Sequence, residues 1–153
     1  MTLGGGDSLS GDGSVVGDVI NGGRIRPGRS PGVLTVEGGY TQTAAGVLEI
    51  EIAGPQADQR DALIVTGLAE LDGVLEVKLD GYMPALGETF SILTCDGRHG
   101  AFDSLMIEGA PAGFGFDVAY GETAVVITAV PEPATLALLV LGGLGMIFRR
   151  RAG

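Results

Sequence analysis

The 153-residue chain has one cysteine, one histidine, no tryptophan and only 5% aromatic residues. A single cysteine, Cys95, forbids an intramolecular disulfide and a thiolate-based zinc site, so the chain must hold by packing. A single histidine, His99, leaves little for a hydrolytic relay. It would have to pair with a nucleophile such as Cys95, and Cys95-Asp96-Gly97-Arg98-His99 reads instead as an exposed turn. Bases are scarce too: nine Lys and Arg stand against nineteen Asp and Glu, a net charge of -10. Such a body repels phosphate backbones, which excludes nucleic acid as a partner. There is no GxxxxGK[ST] loop for a nucleotide phosphate, and nothing calls for a cofactor. Met1 to Asp7 offers neither the basic nor the apolar stretch of a secretory signal peptide.

What the chain does have is glycine, 28 residues of it, among 45% hydrophobic residues. Glycine inside a helix costs roughly 0.5–1 kcal/mol, so this mixture favours short strands joined by tight turns. The apolar content is too high for disorder, and the length suits one all-β body. Charge is unevenly spread: residues 1–130 carry a net -12, whereas residues 131–153 carry +2 from Glu132 and Arg149, Arg150 and Arg151.

A short pattern recurs. Gly32-Val33-Leu34-Thr35-Val36, Gly46-Val47-Leu48-Glu49-Ile50 and Gly73-Val74-Leu75-Glu76-Val77 begin 14 and 27 residues apart, which suggests stacked units. Alternation in these units puts Leu48, Ile50, Ile52, Leu75, Val77 and Leu79 inward and Glu49, Glu51, Glu76 and Lys78 toward water. Further strands are expected over Asp61–Thr66, Thr89–Thr94, Phe116–Tyr120 and Thr123–Ala129, with no amphipathic helix before residue 130. The stretch from Asn21 to Gly32, with Pro-Gly twice, reads as a turn-dense connector. Gly4 to Gly13 reads likewise as a turn-rich connector, its aspartates wrongly spaced for a calcium-binding nonamer.

Pro27 to Gly32, Leu34 to Val36, Gly39 to Thr43, Gly46 to Ile52 and Ala85 to Leu93 together resemble the end of the autotransporter-associated β-strand repeats of bacterial surface proteins. The resemblance covers roughly residues 13–130. It implies a short right-handed parallel β-solenoid, with one or two rungs ahead of a strand-rich cap. On this basis residues 1–53 are rungs and Gly/Pro-rich turns, 54–130 the cap, and 131–153 a separate tail.

The tail is the most specific segment. Pro131-Glu132-Pro133 precedes the apolar run Ala134 to Phe148, and Arg149, Arg150 and Arg151 follow at once. As one helix the run reaches about 22 Å against a hydrocarbon core of about 30 Å, a short transmembrane span that snorkelling arginines and local thinning can complete. The arginines stay cytoplasmic by the positive-inside rule, which puts the acidic body on the far side. Pro-Glu-Pro, a short apolar helix and a terminal arginine cluster closely resemble the PEP-CTERM sorting signal of Gram-negative bacteria. That resemblance implies an exosortase as partner, a membrane-embedded cysteine transpeptidase-like enzyme. It makes Pro131, Glu132 and Pro133 the recognition element, Ala134 to Phe148 the membrane segment, and Arg149–Arg151 the retention and orientation charge. The body would pass through the inner membrane to the periplasmic side and end at the cell surface or in the extracellular matrix. Export without a leader points to a longer natural product that supplies a signal and more rungs.

The expected role is therefore structural and not enzymatic. The alternative is a carbohydrate-binding or polysaccharide-active module on the same anchor, with Glu49, Glu51 and Glu76 as carboxylates and exopolysaccharide as ligand.

Overall fold

A computed structural model describes residues 1–29 and 31–132. Within them the chain winds as a triangular coil, each turn contributing one strand to each of three sheets. The first turn is β1 (Thr2–Leu3), β2 (Ser8–Gly11) and β3 (Gly13–Val16), and the second β4 (Val19–Asn21), β5 (Arg24–Pro27) and β6 (Val33–Glu37). The third is β7 (Tyr40–Gln42), β8 (Val47–Ile52) and β9 (Ala62–Val65), and the fourth β10 (Leu68–Leu71), β11 (Val74–Leu79) and β12 (Thr89–Thr94). After β13 (Gly97–Gly100) and β14 (Ser104–Glu108) the winding stops. β15 (Phe114–Tyr120) and β16 (Ala124–Pro131) then form an antiparallel hairpin.

The sheet orders are β1-β4-β7-β10-β13, β2-β5-β8-β11-β14 and β3-β6-β9-β12-β16-β15, and every pairing up to β14 is parallel. This is the all-β, β-solenoid-like architecture expected. It holds four full turns, not one or two, and the same stack continues across residues 53 and 54. Only β16 runs against its neighbour, pairing Thr89 with Thr128 and Phe90 with Ile127, so that it occupies the place a fifth parallel strand would take. No helix of the described residues is long and apolar enough to cross a membrane. The helix expected over Ala134 to Phe148 lies outside the described residues, as do Pro133 and Arg149–Arg151.

The core is a set of aliphatic columns. Ile25, Leu48 and Leu75 stack in consecutive turns of the second sheet, as do Leu34 and Leu63 in the third, and all five are buried. Each fully buried Leu or Ile contributes about 1.5–3 kcal/mol, so a column stabilises each turn only through the next. At the corner between the first two sheets the column turns polar. Asn21 pairs with Gln42 in register, and a buried chain of hydrogen bonds links them through Tyr40. The Asn21 amide donates to the Tyr40 hydroxyl at 3.1 Å, which donates to Gln42 Oε1 at 2.7 Å. Gln42 Nε2 then donates to the carbonyls of Gly46, Asp72 and Val74 at 3.2, 2.8 and 3.0 Å. Three turns are tied at one corner by side chains that satisfy backbone groups no strand ladder reaches.

Several sequence expectations are corrected. The stretch from Asn21 to Gly32 is not merely a connector: Arg24–Pro27 is β5, and Ile25 is wholly buried. Pro27 closes that strand, where a missing N–H costs least. Likewise Ser8–Gly11 is β2 inside the supposed glycine connector, and Gly97–Gly100 is β13, not an exposed turn. The three Gly-Val-Leu copies are not equivalent. Val47 and Val74 are register partners in the second sheet, but Val33 pairs with Ala62 in the third. The 27-residue interval is one turn of the coil, and the 14-residue interval crosses from one face to another. Gly73 shows why glycine recurs at the corner: its φ is 67°, and a Cβ there would strike the carbonyl oxygens of Gly46 and Thr43.

Candidate functional site

Two places stand out: the exit of β16, and a charged face on the second sheet. At the exit, β16 carries the chain out of the fold as an extended strand, with Val130 opposite Gly115 and Pro131 opposite Phe114. A proline is tolerated because the strand ends there. Beyond it, the Glu132 N–H donates to the Gly113 carbonyl at 3.0 Å, and the Gly113 N–H donates back to Glu132 Oε2 at 3.2 Å. On the other side of β16, Gly87 N–H donates to the Ala129 carbonyl at 2.7 Å and Ala129 N–H to the Glu88 carbonyl at 2.9 Å. The first two residues of Pro131-Glu132-Pro133 are therefore held in extended form at the rim of the body. Glu132 also lines a cavity of about 340 Å³ with Leu105, Ile107, Ala110 and Phe114.

On the charged face, neighbouring turns bring Arg24, Glu49, Glu76 and Lys78 together. Arg24 Nη1 donates to Glu49 Oε2 at 2.6 Å and to Glu76 Oε2 at 2.7 Å, bridging two carboxylates that sit in register. Lys78 Nζ reaches Glu49 Oε1 at 3.0 Å and Glu108 at 3.6 Å. Glu49 is 6% exposed, which corrects the solvent-facing placement: it lies on the outer side of the sheet but beneath the cations of the turns above and below. Burial alone pushes its carboxyl up, but the hydrogen bonds and charges of Lys78 and Arg24 outweigh that and hold it below the usual carboxylate range. Arg24 is shifted up, chiefly by its bond to Glu76, and Lys78 chiefly by its bond to Glu49. The groove over these groups measures about 580 Å³, and no aromatic side chain lines it. With both Glu49 oxygens paired to cations, the face is a cross-turn ion ladder.

The remaining candidates are dispersed. Cys95 Sγ points at the Glu122 carbonyl at 3.8 Å, and burial pushes its thiol up, away from the thiolate a nucleophile needs. His99 lies on β13 in register with Glu70, beside Arg98, whose guanidinium donates to the Gly121 carbonyl at 2.8 Å and to the carbonyls of Gly100 and Tyr120. The aspartate of the Gly4–Asp7 turn is used by the turn itself, Asp7 Oδ2 accepting from Gly4 N–H at 2.9 Å. Among the described residues no group of three or more His, Cys, Asp and Glu could hold a metal ion. One group that sequence reasoning passed over is Asp61, which is buried and accepts from Gly32 N–H at 2.8 Å and Glu51 N–H at 2.9 Å. Burial raises its carboxyl to about 6.

Fold and exit together define a β-solenoid-like body whose last strand runs directly into a C-terminal tail. Residues 129–151 match the PEP-CTERM protein-sorting motif, so the strand that closes the solenoid is also the first part of a sorting signal. A motif of this kind implies processing by an exosortase and export to the cell envelope or surface. No curated protein matches the chain.

Proposed function

We propose that the chain is an exported or cell-surface structural protein, with a right-handed solenoid of autotransporter-associated repeats, that an exosortase recognises and processes through Pro131, Glu132 and Pro133. Ala134 to Phe148 hold the tail in the inner membrane, and Arg149, Arg150 and Arg151 keep its end cytoplasmic, so the acidic body faces the periplasm before release to the surface. The body acts as a scaffold and carries out no reaction. The observation that carries this reading is the motif over residues 129–151, entered from a strand that presents Pro131 and Glu132 already extended. Two prolines keep that segment out of helix and ladder alike, which suits uptake into an enzyme cleft as a strand. The charged face supports the same reading, since its groups neutralise one another across turns and stabilise the coil.

The test is fractionation of a tagged chain in cells with an active exosortase. The wild type should leave the inner membrane with a shortened tail, whereas a Pro131→Ala/Glu132→Ala/Pro133→Ala variant should remain there at full mass. Equal release and equal mass of the two would overturn the proposal.

A further inference from the structure

The exit of β16 lies between two connections, residues 80–88 from β11 to β12 and residues 109–113 from β14 to β15. The first is fastened to the exit strand by the paired bonds between Gly87, Glu88 and Ala129. It is also braced internally, because the Glu88 carboxylate accepts from the Tyr82 hydroxyl at 2.8 and 2.7 Å and from Ala85 N–H at 3.1 Å. What this connection shows to solvent is apolar: Leu86 is 63% exposed and Met83 47%. One turn back along the stack the equivalent connection, residues 53–61 from β8 to β9, exposes Gln56, Asp58 and Gln59. Pro111 and Ala112, exposed on the opposite flank, continue the apolar surface. The change from polar to apolar occurs at the corner from which the tail leaves.

We propose that this corner is a lipid-contact surface, with Met83 and Leu86 entering the interfacial layer of the bilayer beside the tail. The inference rests on the reading of residues 134–148 as a membrane segment. That run begins just beyond Glu132, and a chain advances at most about 3.3–3.6 Å per residue, so the corner cannot stand far from the lipid. A firmly braced loop with two large apolar side chains at that height gains by entering the headgroup and acyl boundary. Asp80, Glu88 and Glu132 stand around the patch, so the surface that suits it is zwitterionic, and anionic lipid weakens the contact.

The absence of tryptophan makes the test direct. Full-length chains carrying Leu86→Trp, Val16→Trp at the far end of the stack, or Phe148→Trp in the tail are reconstituted into phosphatidylcholine vesicles, with fold checked by far-UV circular dichroism. Leu86→Trp should emit to the blue of Val16→Trp and be quenched by lipid brominated near the headgroup, and the shift should vanish when Met83→Asp is added. An emission matching Val16→Trp, while Phe148→Trp is quenched by brominated lipid, overturns the contact and leaves the membrane tail intact. Loss of quenching at both Leu86→Trp and Phe148→Trp overturns the membrane tail and the contact with it. A blue shift without vesicles that grows with protein concentration identifies self-association and also overturns the lipid contact.

Discussion

Replacing Gln42 by leucine asks whether the buried amide chain stabilises the coil or merely occupies a corner. Leucine suits the site by precedent: Leu71 holds the following position in the same column. The loss is specific. The Tyr40 hydroxyl, fully buried, would have no acceptor for its proton, and the Asp72 carbonyl would lose the 2.8 Å bond from Nε2. A buried group left unsatisfied costs about 1–3 kcal/mol, so two such groups cost about 2–6 kcal/mol. The Gly46 carbonyl keeps the Val74 N–H at 2.9 Å and adds little. Leucine returns about 1 kcal/mol of apolar burial, leaving a net loss of about 3 kcal/mol. With a urea slope near 2 kcal/mol per molar, the unfolding midpoint should fall by about 1.5 M. The double variant Gln42→Leu/Tyr40→Phe removes the orphaned hydroxyl, and its cost should be about 1–2 kcal/mol less than the sum of the two single changes. The measurement is urea unfolding followed by far-UV circular dichroism. A single-variant loss below about 0.5 kcal/mol, or strict additivity in the double variant, would refute the reasoning.

Three other outcomes follow from the geometry. Asp61 has its carboxyl raised to about 6, so the folded state binds its proton more tightly than the unfolded state. Its contribution is fully present below the unfolded value and is lost as pH rises through 6; unfolding midpoints at pH 4.5 and 7 should therefore favour the acid side, and Asp61→Asn should flatten that difference. Gly73→Ala should cost about 2–4 kcal/mol, because alanine must take a positive φ and push against two carbonyl oxygens, whereas Gly81→Ala, at a similar φ of 66° with open space around it, should cost only about 1 kcal/mol in thermal unfolding. Glu132→Ala removes an exposed side-chain bond to Gly113 but keeps the main-chain bond, so stability should change by less than about 0.5 kcal/mol while sorting in the fractionation assay fails.

Much of the solenoid was legible where period-two alternation runs unbroken. The columns through Leu48 and Leu75, and the strand Thr89–Thr94, lie as the pattern predicts, because an aliphatic residue at every second position leaves only one face to bury. Short strands escaped notice. Arg24–Pro27 offers one inward aliphatic, Ile25, between two arginines, and its glycine and proline neighbours read as turns; the usable signal was Gly23 ahead of Arg24-Ile25, matching Gly46 and Gly73 ahead of their strands. Glu49 was misjudged for a different reason. Alternation assigns a face, but whether that face is covered depends on Arg24 and Lys78, which reach it only because the coil sets one turn directly above the next. The 14-residue repeat interval misled because equal tripeptides can lie on different sides of a triangle. The tail was legible from residue type and order alone, and the motif over residues 129–151 coincides with it; that β16 leads into it was not, because a strand ending in Pro-Glu-Pro looks in sequence like a linker.

The antiparallel return of β16 gives the tail a mechanical footing. The strand lies between β12 and β15, bonded to both, and its free end points along its own axis into the tail. A pull on the tail along that axis loads both ladders in shear, so many hydrogen bonds share the force at once. Had β16 lain at the sheet edge, or crossed the pull at right angles, the bonds would open singly. Traction on the membrane end is thus transmitted into the stacked turns as a whole, and the body and its tail move as one piece until the chain is cut.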